Sequence, residues 1–186
     1  MSHPEPRRAR YEDLLALPEH LVGEILAGEL YTHPRPAPRH ARAYSALTGS
    51  LWSPFDAGRG GPGGWWIIDE PELHLGADVV VPDLAGWRRE RMPALPETAW
   101  FELAPDWACE ILSPSTARTD RALKMPVYAR ERVSHLWLVD PDARTLEVYA
   151  LQPDRHWLLL ATQQEGEPVR QPPFDAVEFS LASLWA

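Results

Sequence analysis

The segment Trp107–Thr116 constrains the fold more than any other part of the sequence. Its first six residues read as a β-strand whose odd-numbered residues are all apolar and point to one face. Glu110 lies in the middle of the opposite, otherwise apolar face. A lone buried carboxylate is costly, so this strand predicts a partner for Glu110. The strand ends at a Ser-Pro pair, after which Ser115 or Thr116 can cap a following helix.

A second acidic position follows a run of three valines upstream. Pro82 removes a backbone N–H donor and is expected at a strand start or a bulge. Asp83 is therefore predicted to begin the strand at residues 83–87. On the helix after the first segment, Asp120 and Lys124 are four residues apart and share a face.

Asp83, Glu110 and a following lysine resemble the PD-(D/E)XK nuclease superfamily, which has the restriction-endonuclease-like fold. A longer set of motifs resembles the Uma family of proposed endonucleases: Pro82-Asp83, Glu110-Ile111-Leu112-Ser113-Pro114-Ser115-Thr116, Asp120, Lys124, Tyr128 and Trp137-Leu138-Val139-Asp140-Pro141. Their order and spacing match from about Tyr11 to the C-terminal strands. The superfamily lysine stands two residues after the glutamate, where this chain has Leu112. In the Uma pattern the matching residue is Lys124.

Lys124 is also the only lysine among the eighteen basic residues of the chain. An arginine would serve a surface ion pair equally well, whereas a compact ammonium with an adjustable pKa suits a catalytic site better. Two interpretations are therefore open. Lys124 is either a catalytic residue or one half of a solvated helix pair with Asp120 that survived by chance.

The resemblance implies a site for phosphodiester hydrolysis. Phosphodiesters are poor electrophiles, so a nuclease needs a divalent cation to hold the phosphate and activate water. Hard oxygen ligands suit Mg²⁺, with Mn²⁺ as a substitute. The implied ligands are Asp83, Glu110 and the backbone carbonyl of Ile111, and Lys124 would orient the attacking water or stabilise the charge on the phosphorane.

Three further residues are candidates for accessory roles at this site. Glu24 matches the family's first-strand glutamate near the metal, and its alternative is an exposed strand position. His40, at the start of a predicted helix, is expected either to contact a phosphate or to be exposed or capping. Asp120 is interpreted as the partner of Lys124 rather than as a metal ligand.

The charge of the chain bears on its partners. A net charge of −9 and a pI near 5.2 are unusual for a dedicated nucleic-acid-binding domain. Basic residues nevertheless cluster within residues 35–42, 88–91 and 118–132, and local patches bind phosphates at some cost in long-range steering. Arg118 and Arg121, in the third cluster, are the predicted nucleic-acid contacts, and DNA is the expected partner.

Length and composition limit the domain number, the cellular location and the disulfide content that the chain can have. A length of 186 residues, 45% of them hydrophobic, predicts one domain over 1–186 with residues 1–10 disordered. No apolar run approaches the roughly 20 residues that span a bilayer, and the N-terminus has no signal-like segment, so we expect a cytoplasmic protein without membrane contact. The single cysteine, Cys109, excludes an internal disulfide and is expected in the core. Nine tryptophans exceed the needs of one core and suggest a homodimer interface.

The pattern of elements predicts an α/β fold. A short helix precedes a hairpin around Ala27-Gly28, an amphipathic helix covers residues 40–52, and a helix at 118–131 is kinked by Pro126. Residues 72–75 are expected to continue the strand at 65–69. Together with the resemblance, this predicts a restriction-endonuclease-like core: a mixed β-sheet flanked by helices, with a β-rich N-terminal hairpin and C-terminal extension.

Three alternatives to a nuclease stay open. One is a catalytically inactive module that keeps the fold for binding or dimerisation, although the carboxylates Asp83 and Glu110 are intact. Another is a metal-dependent hydrolase of a small phosphorylated substrate, which a deep closed pocket would favour over an open groove flanked by arginines. The third is a purely structural carboxylate cluster.

Overall fold

The computed structural model describes residues 7–34 and 37–185. Its strands are β1 (Leu21–Leu26), β2 (Glu29–Pro34), β3 (Trp65–Asp69), β4 (Leu73–Leu75), β5 (Asp78–Val80), β6 (Leu84–Arg88), β7 (Trp107–Ile111), β8 (His135–Asp140), β9 (Thr145–Leu151), β10 (Trp157–Gln164), β11 (Pro168–Val169) and β12 (Phe179–Ser180). The helices are α1 (Tyr11–Leu15), α2 (Pro38–Leu51, followed by a π-helical turn at Trp52–Asp56), α3 (Ala117–Thr119, a π-helical turn at Asp120–Lys124, then Met125–Arg130) and a 3₁₀ helix at Leu181–Leu184.

Six strands form the central sheet, in the order β10-β9-β8-β7-β6-β3. Strands β7 and β8 are parallel, and the other neighbouring pairs of this sheet are antiparallel. Helix α3 connects the parallel pair, as the crossover between parallel strands requires. Parallel strands end at the same edge of a sheet, so Ile111 and Asp140 mark one edge, where the candidate site lies.

Strand β7 is buried on both faces and separates two cores. Trp107, Cys109 and Ile111 pack on one side with α2, Phe174 and the C-terminal helix. The opposite side packs against α3 and a second sheet. The predicted alternation is therefore confirmed, and Cys109 is a core residue whose burial raises the pKa of its thiol well above the usual value.

The second sheet has the strand order β2-β1-β5-β4. Strands β1 and β2 form the predicted hairpin, in which Ala27 (φ 54°) and Gly28 (φ 83°) both adopt the positive φ that a type I′ turn requires. Asp78 supports this turn by accepting a hydrogen bond from the Ala27 N–H at 2.7 Å. The prediction for residues 72–75 is wrong in one respect. They form β4, which pairs with β5 in this sheet and does not continue β3, because the chain turns away after Glu70 and Pro71.

The helix after β7 contains a π-helical turn at Asp120–Lys124. Pro126 lies just beyond this turn. In a regular α-helix its ring would clash with the carbonyl of residue 122 and its missing N–H would leave that carbonyl unpaired. Widening the preceding turn removes this conflict, so the expected kink takes the form of a π turn, which carries Lys124.

The N-terminal prediction is partly wrong. Residues 1–6 of the stretch expected to be disordered lie outside the described residues. Residues 7–10, however, pack on the hairpin turn, where the Ala9 N–H donates to the Gly28 carbonyl at 2.8 Å. This contact leads the chain directly into α1.

Candidate active site

The pairing of β6 with β7 brings Asp83 and Glu110 to the same end of the central sheet. Leu84 pairs with Cys109, so extending this antiparallel ladder by one residue places Asp83 opposite Glu110. Asp83 lies in the bend just before β6, where its Oδ2 accepts a hydrogen bond from the Ile111 N–H at 2.7 Å. Both carboxylates line one cavity of about 280 Å³.

Glu110 is only 2% exposed, although it carries a carboxylate in the middle of β7. Its Oε2 accepts a hydrogen bond from Lys124 Nζ at 2.9 Å, and its Oε1 accepts one from the Tyr128 hydroxyl. These two donors offset the cost of removing the carboxylate from water. The predicted partner of Glu110 is therefore present, and it comes from α3.

The Lys124 ammonium is surrounded by oxygens. Besides Glu110, it lies 3.0 Å from Glu24 Oε1 and 3.6 Å from Asp120 Oδ1, and it donates to the Val81 carbonyl at 3.1 Å. The side chain is 3% exposed, so the interpretation of Lys124 as half of a solvated surface pair is wrong. A compact ammonium with three N–H donors suits such a small cage better than a planar guanidinium would.

Glu24 reaches the cluster from β1 in the second sheet. It is 1% exposed, and the alternative of an exposed strand position is therefore wrong. The Val81 N–H donates to its Oε1 at 2.7 Å, and His33 Nε2 lies 3.5 Å from its Oε2. Burial acts to raise the pKa of Glu24, but the Lys124 charge and these hydrogen bonds lower it below the usual value.

His40 lies in the first turn of α2 and points at Asp83. Its Nε2 is 3.2 Å from Asp83 Oδ1, while its Nδ1 is buried without a hydrogen-bond partner among the described residues. Burial acts to lower the pKa of His40, but the Asp83 carboxylate and the Ile111 backbone raise it above the usual value. The exposed alternative is wrong, and contact with a phosphate stays a prediction.

The site holds more carboxylates than cations. Burial raises the pKa of Glu110 well above its usual value, and the like charges of Asp120, Asp83 and Glu24 add to this effect against the opposing charge of Lys124. Burial acts to lower the pKa of Lys124, but the charge of Glu110, together with those of the other three carboxylates, raises it well above the usual value. Lys124 is therefore charged at neutral pH.

The side chains that converge here come from widely separated motifs of the sequence. The profile of the Uma2 family, described as "Putative restriction endonuclease", matches residues 10–182. The chain belongs to the Uma2 family. Asp83, Glu110 and Lys124, on which the resemblance to the nuclease superfamily rested, all line the same cavity.

Comparison with solved structures gives the fold of this Uma2 family member. A crystal structure of a putative nuclease belonging to DUF820 from Anabaena variabilis superposes with a TM-score of 0.74. The two chains are 24% identical, and the match covers 94% of this chain and 96% of the other. The predicted fold class is therefore confirmed. A search of curated proteins found no match.

The two arginines predicted to contact nucleic acid lie outside the cavity of this Uma2 chain. Arg121 donates two hydrogen bonds to the Glu147 carboxylate, at 2.8 and 3.2 Å. Arg118 is exposed on the first turn of α3. Their contact with nucleic acid stays a prediction. In the described part of the chain, no helix is long and apolar enough to cross a membrane.

Sequence reasoning missed two residues of the site. Tyr128 is among the motifs that resemble the Uma family, but no role at the site is predicted for it, although its spacing of four from Lys124 signals a shared face. Glu70 also lines the cavity, and its N–H donates to the Asp83 carbonyl at 2.9 Å. No local pattern marks Glu70, because its position depends on the pairing of β3 with β6.

Two carboxylates of the cavity could serve as ligands of a magnesium ion. Among residues 7–34 and 37–185, no three His, Cys, Asp or Glu side chains form a ready-made metal cluster. Mg²⁺, however, usually takes only one or two carboxylates and keeps several waters. Asp83 and Glu110 supply two, and each of their oxygens retains a lone pair beyond the hydrogen bond it accepts.

Proposed function

We propose that this Uma2 family member is a metal-dependent endonuclease that hydrolyses phosphodiester bonds of nucleic acid, with DNA as its substrate. The observation that carries the proposal is the contact of the buried Lys124 ammonium with Glu110, at 2.9 Å, in the cavity that Asp83 also lines. A buried ion pair contributes little to stability compared with apolar packing, so its presence supports a functional role. Family membership supports nuclease chemistry.

In this proposal Asp83, Glu110 and the Ile111 carbonyl hold Mg²⁺, or Mn²⁺ as a substitute. The cation would supply the positive charge that binds the phosphate and lowers the pKa of a bound water. Burial and the nearby carboxylates raise the pKa of Glu110, and a cation at this place would relieve the repulsion among them. His40, 3.2 Å from Asp83, fixes the orientation of that carboxylate.

The other residues of the cluster position Lys124. Glu24 and Asp120 lie 3.0 and 3.6 Å from its ammonium and hold it beside Glu110, and the Tyr128 hydroxyl fixes the remaining oxygen of Glu110. Lys124 thereby presents a charge whose position is set before substrate arrives. One such preorganised contact to the developing charge of a transition state is worth about 10²–10³ in rate.

A metal-dependent hydrolase of a small phosphorylated substrate is the second candidate. The cavity measures about 280 Å³, and no arginine is among the described residues that line it. The net charge of −9 also disfavours long-range attraction of a polyanion. The same residues would act in both candidates, and the size of the substrate distinguishes them.

A hydrolysis assay tests the proposal. The protein is incubated with Mg²⁺, Mn²⁺ or EDTA and with plasmid, single-stranded DNA, RNA or the small diester bis(p-nitrophenyl) phosphate. We expect metal-dependent cleavage of DNA that falls by about 10²-fold or more in Asp83→Asn and in Glu110→Gln. Asp154→Asn, at an exposed carboxylate, is the matched control and should keep full activity.

The outcomes separate the candidates. Hydrolysis of the small diester without cleavage of any polymer would favour the second candidate. Absence of hydrolysis with either metal, or full activity of Asp83→Asn, would refute metal-dependent nuclease chemistry at this site.

Homodimer formation stays a prediction, but strand β10 replaces the tryptophans as the proposed interface. The described tryptophans lie mostly in the two cores, with Trp52 exposed. Three exposed leucines, Leu158, Leu159 and Leu160, instead lie on the edge strand β10, which a second copy would cover. Sedimentation equilibrium tests this prediction, and a monomer mass at all concentrations would contradict it.

A further inference from the structure

A second cavity, of about 400 Å³, opens beside the candidate active site and is rich in arginine. Helix α2 contributes Arg39 and Arg42, and the turn between β8 and β9 contributes Asp142 and Arg144. Leu184 and Trp185 also line this basic cavity. It differs from the active-site cavity, whose described lining has no arginine.

Two features of the fold place the basic cavity next to the active site. The first turn of α2 lies between them, with His40 lining one cavity and Arg39 lining the other. The second feature is the parallel pairing of β7 with β8, in which Ile111 pairs with Val139. The strand that carries Glu110 and the strand that leads into the arginine-bearing turn therefore end at the same edge of the sheet.

The closeness of the two cavities suits a nucleic-acid strand. His40 lines one cavity and the neighbouring residue Arg39 lines the other. Every nucleotide of a strand carries a phosphate, so a strand with one phosphodiester in the active-site cavity would bring a flanking phosphate to the basic cavity.

The described lining of the basic cavity is rich in positive charge, although the protein is acidic. Among the described residues, three arginines and one aspartate line it, and the sequence has no Asp or Glu over residues 38–51. Arg39 is 81% exposed and lies 3.2 Å from Asp142, and Arg144 is 55% exposed and lies 3.5 Å from Glu165. Arg42 donates to the Ser183 carbonyl at 2.9 Å. The ion pairs of Arg39 and Arg144 are exposed and therefore weak, so a phosphate can replace Asp142 and Glu165 as their partners.

We infer that the basic cavity binds a backbone phosphate of the nucleic acid that flanks the scissile bond. This inference rests on the proposed nuclease function for the identity of the ligand. The planar guanidinium fork matches a phosphate, and such contacts position a strand without reading its bases. The cavity would therefore supply the arginine contacts to a polymer that the described lining of the active-site cavity lacks.

The test compares a cavity variant with a matched control by fluorescence anisotropy. The cavity variant is Arg39→Gln/Arg144→Asn, in which asparagine tolerates the positive φ of Arg144 (54°). The control is Arg170→Gln/Arg155→Asn, which removes two exposed arginines outside the cavity. Arg155 has the same backbone conformation (φ 66°) and lies in the turn at the other end of β9.

Short fluorescein-labelled DNA duplexes of two unrelated sequences are titrated in EDTA at salt concentrations between about 50 and 200 mM. We expect the cavity variant to bind both sequences about tenfold more weakly, with the slope of log K against log salt smaller by about 1, the value for one lost phosphate contact. The control should match the wild type in both respects. Hydrolysis of bis(p-nitrophenyl) phosphate should be unchanged in all three proteins, because the replaced residues lie outside the active-site cavity.

The failure of this inference differs from the failure of the proposed function. Equal affinity and salt slope in the wild type and the cavity variant would overturn the inference while leaving catalysis intact. Absence of duplex binding by the wild type would overturn it as well, even if the small diester is hydrolysed. Cavity-dependent binding without hydrolysis of any substrate would support the inference and refute the proposed catalysis.

Discussion

Replacement of Lys124 by arginine tests whether the Lys124 ammonium has a catalytic role or only a structural one. Both side chains are cationic and both favour helices, so a purely electrostatic role would survive the change. The ammonium of Lys124, however, lies between 2.9 and 3.6 Å from carboxylate oxygens of three different residues and is 3% exposed. The larger planar guanidinium cannot occupy this cage without displacing Glu110 or closing the cavity.

The expected magnitudes distinguish loss of fold from loss of function. Overpacking a buried site costs about 1–3 kcal/mol. A domain with a free energy of unfolding of about 5 kcal/mol would keep at least about 2 kcal/mol, and fewer than about one molecule in twenty would be unfolded. Loss of one positioned contact to the transition state costs about 10²–10³ in rate, far more than this unfolded fraction explains.

The assay measures metal-dependent cleavage of DNA by the wild type and Lys124→Arg, alongside urea unfolding of both. Arg118→Lys, an exposed position on the same helix, is the control for the reverse exchange and should change stability by less than about 0.5 kcal/mol. Full activity of Lys124→Arg in folded protein would refute the catalytic role, and the single lysine of the chain would then be an accident of composition.

Three further predictions follow from the same cluster. Mg²⁺ or Mn²⁺ at about 100 times its Kd should stabilise the wild type by about 2.7 kcal/mol in thermal-shift measurements, and an equal shift in Asp83→Ala would place the ion elsewhere. Tyr128→Phe leaves Glu110 Oε1 without its donor, so urea unfolding should show a loss of about 1–3 kcal/mol, and an unchanged midpoint would contradict this. The pKa of Glu24 is lowered on folding, so its stabilising contribution is present above the usual value of 4.5 and is lost as the pH falls below it. The difference in unfolding free energy between wild type and Glu24→Gln should therefore be larger at pH 7 than at pH 4, and a difference independent of pH would exclude this charge effect.

Local regularities predicted the strand at the centre of the site. The alternation of apolar residues around Glu110 assigned its face, and the cost of a buried carboxylate required a partner for it. The spacing of Asp120 and Lys124 placed both on one side of α3. These predictions succeeded because each depends on the geometry of a single element and on the chemistry of its side chains.

The sequence alone determined the fold class, the two acidic positions and the special standing of Lys124. Only the tertiary structure decided which side chains enclose that ammonium, because periodicity assigns a residue to a face but not to a partner. Glu24 arrives from another sheet and His40 from a different helix, and their contacts depend on long-range packing of the two cores. The same packing brings Arg39 and Arg144, which are 105 residues apart in the sequence, to one cavity. No local sequence pattern predicts that these two residues are close in space.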